Sequence, residues 1–209
     1  MAQEKFDLQK VHGSFERCLV GEEDVFIDAY LEAFKELYKF FSLMGTVFGF
    51  VSSDVKEKVE ILEKLRKHQD HGEQFESIQK MMDYERDGNL LTKKDYVSGC
   101  RTLLRLHRGL DFIYLFLKRL GELETANANT CAVCQSSYNE TLAQFHPWLI
   151  RKGAVMAMYA MPNRDHLLEK VCLDASTAIK LLPEMLAVAR QVYDRTQALY
   201  TKYDLHGLP

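Results

Sequence analysis

Three arginines, Arg101, Arg105 and Arg108, stand four and three residues apart in the stretch G-C-R-T-L-L-R-L-H-R-G-L-D, residues 99–111. At 3.6 residues per helical turn that spacing puts them on one cationic stripe. Leu103, Leu106, Leu110 and Ile113 repeat at similar intervals on another face, which anchors such a helix in a core. Guanidinium forks held in this way suit a phosphate or a carboxylate, because each fork donates two parallel, charge-assisted hydrogen bonds. A solvated basic face is the plainer reading of the same pattern.

A second pair with chemical potential is Asp54 and Lys58, one helical turn apart on a segment whose Val55, Val59 and Leu62 would face inward. They form either an ordinary surface ion pair or an acceptor and a cation presented at the mouth of an apolar pocket. His146 precedes Pro147, which keeps the histidine out of α conformation and places it at a helix junction. Immediately after it come Trp148, Arg151 and Lys152. An aromatic ring beside basic residues is typical of a surface that meets lipid headgroups, with a core tryptophan as the alternative.

Cys131 and Cys134 form a C-x-x-C, yet no second cysteine pair or histidine pair completes a zinc site. The five cysteines, an odd number with no preceding signal-peptide pattern, read as free thiols of a reducing compartment. His68 and His71 read as solvated loop residues, and no metal or cofactor site is expected. There is also no glycine-rich phosphate loop and no nucleophile beside a base, which weighs against an enzyme.

The elements that must position these residues are helical. Four prolines and eleven glycines in 209 residues leave long stretches with three- and four-residue apolar spacing rather than alternation, so the fold class is all-α. Hydrophobic residues make up 47% and charged residues 27%, enough for one substantial core, and residues 1–209 read as a single domain. A net charge of -3 argues against a nucleic-acid binder, so any anion site must be local. No apolar segment is long enough to span a bilayer, and the protein is expected in the cytosol, peripherally on membranes.

In chain order, Phe6, Val11, Phe15 and Leu19 predict a first helix ending near Gly21. Asp28 is the expected cap of a second carrying Tyr30, Phe34, Leu37 and Phe41. Phe40 to Val51, including Val47, is almost unbroken apolar density, either a fully buried helix or a cavity lining. The helix bearing Asp54 is expected to stop at Gly72. Phe75, Ile78, Met81 and Met82 mark another, and the arginine helix follows to about Leu120. Pro162 ends the helix after Trp148, Arg164 to Cys172 is short and helical, and Pro183 is expected to open the last helix.

Three separated motifs, D-V-K-E-K at residues 54–58, G-C-R-T-L-L-R-L-H-R-G-L at 99–110 and F-H-P-W-L-I-R-K at 145–152 with A-M-P-N-R at 160–164, closely resemble the glycolipid transfer protein family. The resemblance implies a two-layer sandwich of about eight α-helices enclosing an apolar sleeve for lipid chains. Glycolipid-binding members of the family carry a tryptophan at the position of Arg105 and an asparagine at that of Lys58. Both departures point to the branch that takes ceramide-1-phosphate and related phosphosphingolipids. Carried over residue by residue, Asp54 accepts hydrogen bonds from the sphingoid amide and hydroxyl, and His146 donates to the acyl carbonyl. Lys58, Arg101 and Arg105 hold the phosphate, with Arg108 as a helper. Phe40, Phe41, Phe48, Phe50 and Val51 line the sleeve, and Trp148, Arg151 and Lys152 dock on a membrane. The implied function is non-enzymatic transfer between membranes by a monomer in transient peripheral contact. A lipid-sensing adaptor binding the same ligand is the first alternative and an enzyme on an anionic substrate the second.

Overall fold

A computed structural model of the protein describes residues 5–45 and 48–209, apart from the side chain of Val20. Among the described residues there are nine α-helices: α1 Leu8–Cys18, α2 Ile27–Met44, α3 Gly49–Arg66, α4 Ile78–Asp87, α5 Gly99–Gly121, α6 Thr130–Glu140, α7 Trp148–Met158, α8 Arg164–Val171 and α9 Ala175–Lys202. A two-residue hairpin, β1 Leu19–Val20 with β2 Asp24–Val25, pairs Leu19 with Val25 and turns at Gly21, whose φ is +55°.

Most starts are chemically explicit. Asp7, Ser77, Ser98, Asn129, Asn163 and Asp174 each accept a backbone N–H at the N-terminus of α1, α4, α5, α6, α8 and α9. Several expected boundaries shift. The first helix stops at Cys18 because the hairpin takes over. Asp28 lies in the first turn of α2, whose start is instead set by Phe26 bridging to Ser77. α3 ends at Arg66, six residues short of Gly72, which opens a 3-10 turn. Pro183 lies inside α9, one of whose faces is open to solvent there; the helix begins eight residues earlier.

α5 organises the molecule, packing against α3, α4, α6 and α9. Its core face, Leu103, Leu106, Leu110 and Ile113, is buried, as are Phe116 and Leu120 further along. Its N-terminus is pinned by the fully buried carboxylate of Glu85 on α4, which accepts from Gly99 N at 2.5 Å, Cys100 N at 3.2 Å and the Ser98 and Tyr96 hydroxyls. An anion there satisfies orphan N–H groups and meets the positive end of the helix. Gly99 itself lets α5 come close: a Cβ would lie 2.6 Å from the Met81 sulfur and 2.8 Å from the Phe75 ring.

α2 packs against α1, α3 and α8. The apolar run from Phe40 to Val51 is not one helix. It breaks at Gly45, whose φ of +123° suits glycine alone, and resumes as α3. The break sets α3 beside both α2 and α5, leaving space between them. Val47 lies outside the described residues.

Candidate functional site

That space is a cavity of about 530 Å³ between α2, α3, α5, α6 and α7, within the range of small-molecule sites. Its walls are aromatic and aliphatic, with Phe34 and Phe41 from α2, Phe48 just before α3, Phe112 and Ile113 from α5 and Met158 from α7. Of the expected lining, Phe41, Phe48, Phe50 and Val51 face the cavity. Phe50 is half exposed and belongs to the rim. Phe40 does not reach the cavity. It stands one layer behind, edge-on to Phe6 at 5.3 Å and to Phe41 at 5.5 Å and 6.3 Å from Phe116, because adjacent residues on a helix point some 100° apart. Phe34 and Phe112 line the cavity but look like ordinary core positions in sequence.

Polar groups gather at one end: Asp54, Lys58, Arg105, Arg108 and His146 all line the same cavity. Lys58 Nζ donates to Asp54 Oδ1 at 2.6 Å and lies 3.7 Å from Glu57. The pair is asymmetric: the lysine side chain is 9% exposed and the aspartate 61%. An almost buried ammonium with a wet carboxylate as partner can exchange that partner for an incoming anion, and one oxygen of Asp54 is left to accept elsewhere.

The arginine stripe divides. Arg105 is exposed at the mouth and makes no ion pair among the described residues. Arg108 reaches the mouth but is engaged: its Nη2 donates to the His206 carbonyl at 2.8 Å and its guanidinium lies 4.1 Å from the centre of the Phe145 ring. Burial pulls its pKa below the ordinary arginine value, without removing the proton. Arg101 does not line the cavity. It donates through Nη2 to the carbonyls of Tyr96 and Lys93 on the loop before α5. These charge-assisted bonds hold Arg101 on the loop and away from the cavity lining.

His146, extended at φ -107° and ψ 136° before Pro147, sits at the junction expected of it. Its Nδ1 shares a 2.8 Å hydrogen bond with the Tyr138 hydroxyl on α6. Burial lowers its pKa, partly offset by the Asp54 carboxylate. Nothing in the sequence marks Tyr138 as a partner of His146. Its eight-residue separation from His146 spans a helix end and a 3-10 turn, and no local periodicity reveals that contact.

Beside this end, α7 starts with an open apolar face. Trp148 is 63% exposed and Leu149 71%, and Phe145, Ile150 and Met156 are exposed as well. Lys152 lies 5.6 Å from the indole centre, and Arg151 and Lys152 are both exposed. Trp148 is therefore not a core residue. His68 and His71 are not simply solvated: their rings stack at 3.7 Å, and His71 continues onto Tyr84 and Phe75. All five cysteines are free, and burial raises the Cys134 thiol to about 12, which makes it a packing group rather than a nucleophile. Among the described residues, no three His, Cys, Asp or Glu side chains converge where a metal could sit.

The family model for glycolipid transfer protein matches residues 25–173, which includes every motif named above. The chain is 38% identical to ceramide-1-phosphate transfer protein from Xenopus laevis, over 99% of this chain and 98% of that one. It is 37% identical to the protein of the same name from Homo sapiens, over 98% and 97%. Among solved structures, mouse ceramide-1-phosphate transfer protein in its apo form superposes with a TM-score of 0.90 at 38% identity, covering 98% of this chain and all of that one. The human protein in complex with 12:0 ceramide-1-phosphate gives 0.87 at 37% identity, covering 98% of this chain and all of that one. With the sandwich of helices, the cavity between them and the family model all in agreement, the chain belongs to the glycolipid transfer protein family.

Proposed function

We propose that the protein carries ceramide-1-phosphate between membranes, with no chemical step. The observation that supports this best is the pairing of one apolar cavity with a cationic mouth, Lys58, Arg105 and Arg108 on its lining and Arg101 beside it. A phosphate monoester carries about -1.5 to -2 charges near neutrality, so two or three cations nearly neutralise it. Lys58 and Arg105 hold the phosphate first, Arg101 joins by leaving its carbonyl partners, and Arg108 stays a helper because it is already engaged. Asp54 accepts the sphingoid amide and hydroxyl protons, and His146 donates to the acyl carbonyl.

Burying an acyl chain stabilises the complex by about 0.8 kcal/mol per methylene relative to water, so the cavity competes with a bilayer for the chains. Transfer begins when Trp148, Arg151 and Lys152 adsorb to a membrane, and the exposed Leu149 and Ile150 extend the same apolar face. The phosphate is then captured and the chains slide between α2, α3 and α5. Among the described residues no helix is long and apolar enough to cross a membrane, which fits transient contact. The protein acts as a monomer in the cytosol, one cavity to one lipid.

Native mass spectrometry after incubation with a mixed lipid extract tests the reading. The expected adduct is a phosphosphingolipid, and a neutral glycolipid or a nucleotide in its place would overturn it. Vesicle-to-vesicle transfer by the purified protein alone distinguishes a carrier from an adaptor that binds the same lipid.

A further inference from the structure

From the Tyr138 and His146 geometry we infer that Tyr138 is a positioning residue: its hydroxyl donates to His146 Nδ1 and so fixes the imidazole as an Nε2–H donor aimed at an amide carbonyl. This rests on the function proposed above, and it accounts for how a neutral side chain at the mouth recognises an acyl carbonyl.

The two rings belong to different elements, Tyr138 on α6 and His146 in the extended residue before α7, and the 2.8 Å bond is the only one either makes among the described residues. That isolation decides the direction. Were Nδ1–H to donate, the phenolic proton would have no acceptor in a site that is half shielded from water. When the phenol donates, Nδ1 is satisfied as an acceptor and the ring proton resides on Nε2, the nitrogen left without a partner on a residue that lines the cavity. Both groups are neutral near pH 7, since burial pushes the phenol up and the imidazole down. Asp54 from α3 and Arg151 from α7 are the charged groups acting on them.

Tyr138 is itself held. Its ring is buried and meets Phe112 of α5 edge-on at 6.2 Å, so the hydroxyl cannot follow the histidine if that residue turns. The arrangement is a chain from α5 through Tyr138 to His146, in which the packing of a core phenylalanine determines which imidazole nitrogen carries the proton. An Nε2–H donor rewards a carbonyl oxygen and offers nothing to an ester-free, amide-free chain. Recognition of the carbonyl therefore lies in the tautomer and not in charge.

Long-range ¹H–¹⁵N correlation spectra at neutral pH read the tautomer directly. In the wild type, His146 should show a protonated Nε2 and a bare Nδ1; a protonated Nδ1 overturns the inference, whatever any variant does. Tyr138→Phe keeps the ring against Phe112 and should convert His146 to a mixture of tautomers, with affinity for ceramide-1-phosphate in vesicles falling about fivefold to tenfold. In the His146→Ala background, Tyr138→Phe should cost nothing further. If His146→Ala alone weakens binding while Tyr138→Phe changes neither tautomer nor affinity, the positioning role is wrong and the lipid assignment stands. If His146→Ala leaves ceramide-1-phosphate binding intact, the reading of the headgroup site fails first.

Discussion

Lys58 and Asp54 show how far one ion pair can be read. Spacing alone allowed a surface pair of little value, and the structure distinguishes its halves, an ammonium nearly out of water and a carboxylate mostly in it. A buried cation whose partner is exposed gains most when a phosphate arrives, so Lys58→Ala should weaken ceramide-1-phosphate binding by about 2 to 4 kcal/mol. Isothermal titration with a short-chain form would measure it, and a loss below tenfold would mean that Lys58 merely holds Asp54. Asp54 makes the opposite case. A carboxylate near a phosphate is repulsive unless it accepts protons from the same ligand. Asp54→Val should therefore lose most ceramide-1-phosphate transfer despite the gain in positive charge, while phosphatidic acid, which lacks the amide, moves no more slowly than with the wild type. Equal loss for both lipids would show that Asp54 acts only by orienting Lys58. What sequence could not supply at this scale was side-chain direction: Arg101 shares a stripe with Arg105, but loop carbonyls at Lys93 and Tyr96 draw it aside.

At the scale of elements, helix identity was legible and helix ends were less so. The stripe of leucines through α5 is strongly periodic, and the structure keeps it within a residue or two of the expected span. Pro183 misled because a proline is easiest to place in a first turn, whereas α9 carries it inside and takes its cap from Asp174, bonded to Thr177 N at 3.1 Å. The start of α2 depends on pairing between Phe26 and Ser77, some fifty residues apart, which no local pattern contains. α7 tests the docking idea by itself. Trp148 is too exposed for its removal to open a core cavity, so Trp148→Ala should leave the unfolding free energy within about 0.5 kcal/mol of wild type. Sedimentation with anionic vesicles should show weaker adsorption and transfer assays a slower rate. Unchanged adsorption would assign the docking surface elsewhere.

For the whole molecule, α5 joins the site to the stability of the fold. On its far side His107 is buried between Tyr193 at 4.3 Å and Tyr200 at 5.7 Å, with Nε2 on Gln197 Oε1 at 2.6 Å. Burial lowers its pKa to about 4, with Gln197 opposing the shift. The folded state thus binds fewer protons than the unfolded state between about pH 4 and pH 6.5, and stability falls as pH drops through that window. The linked loss is about 3 kcal/mol at most, at 1.36 kcal/mol per unit. Denaturant unfolding from pH 7 to pH 4 should show it, and His107→Phe, which keeps the ring stack, should flatten the curve; an unchanged slope would place the acid sensitivity in other groups. Whether the protein carries a phosphorylated rather than a glycosylated sphingolipid is decided by paired vesicle transfer of ceramide-1-phosphate and galactosylceramide with the wild-type protein. Ceramide-1-phosphate should move rapidly and galactosylceramide no faster than without protein; galactosylceramide transfer at a comparable rate would contradict the assignment.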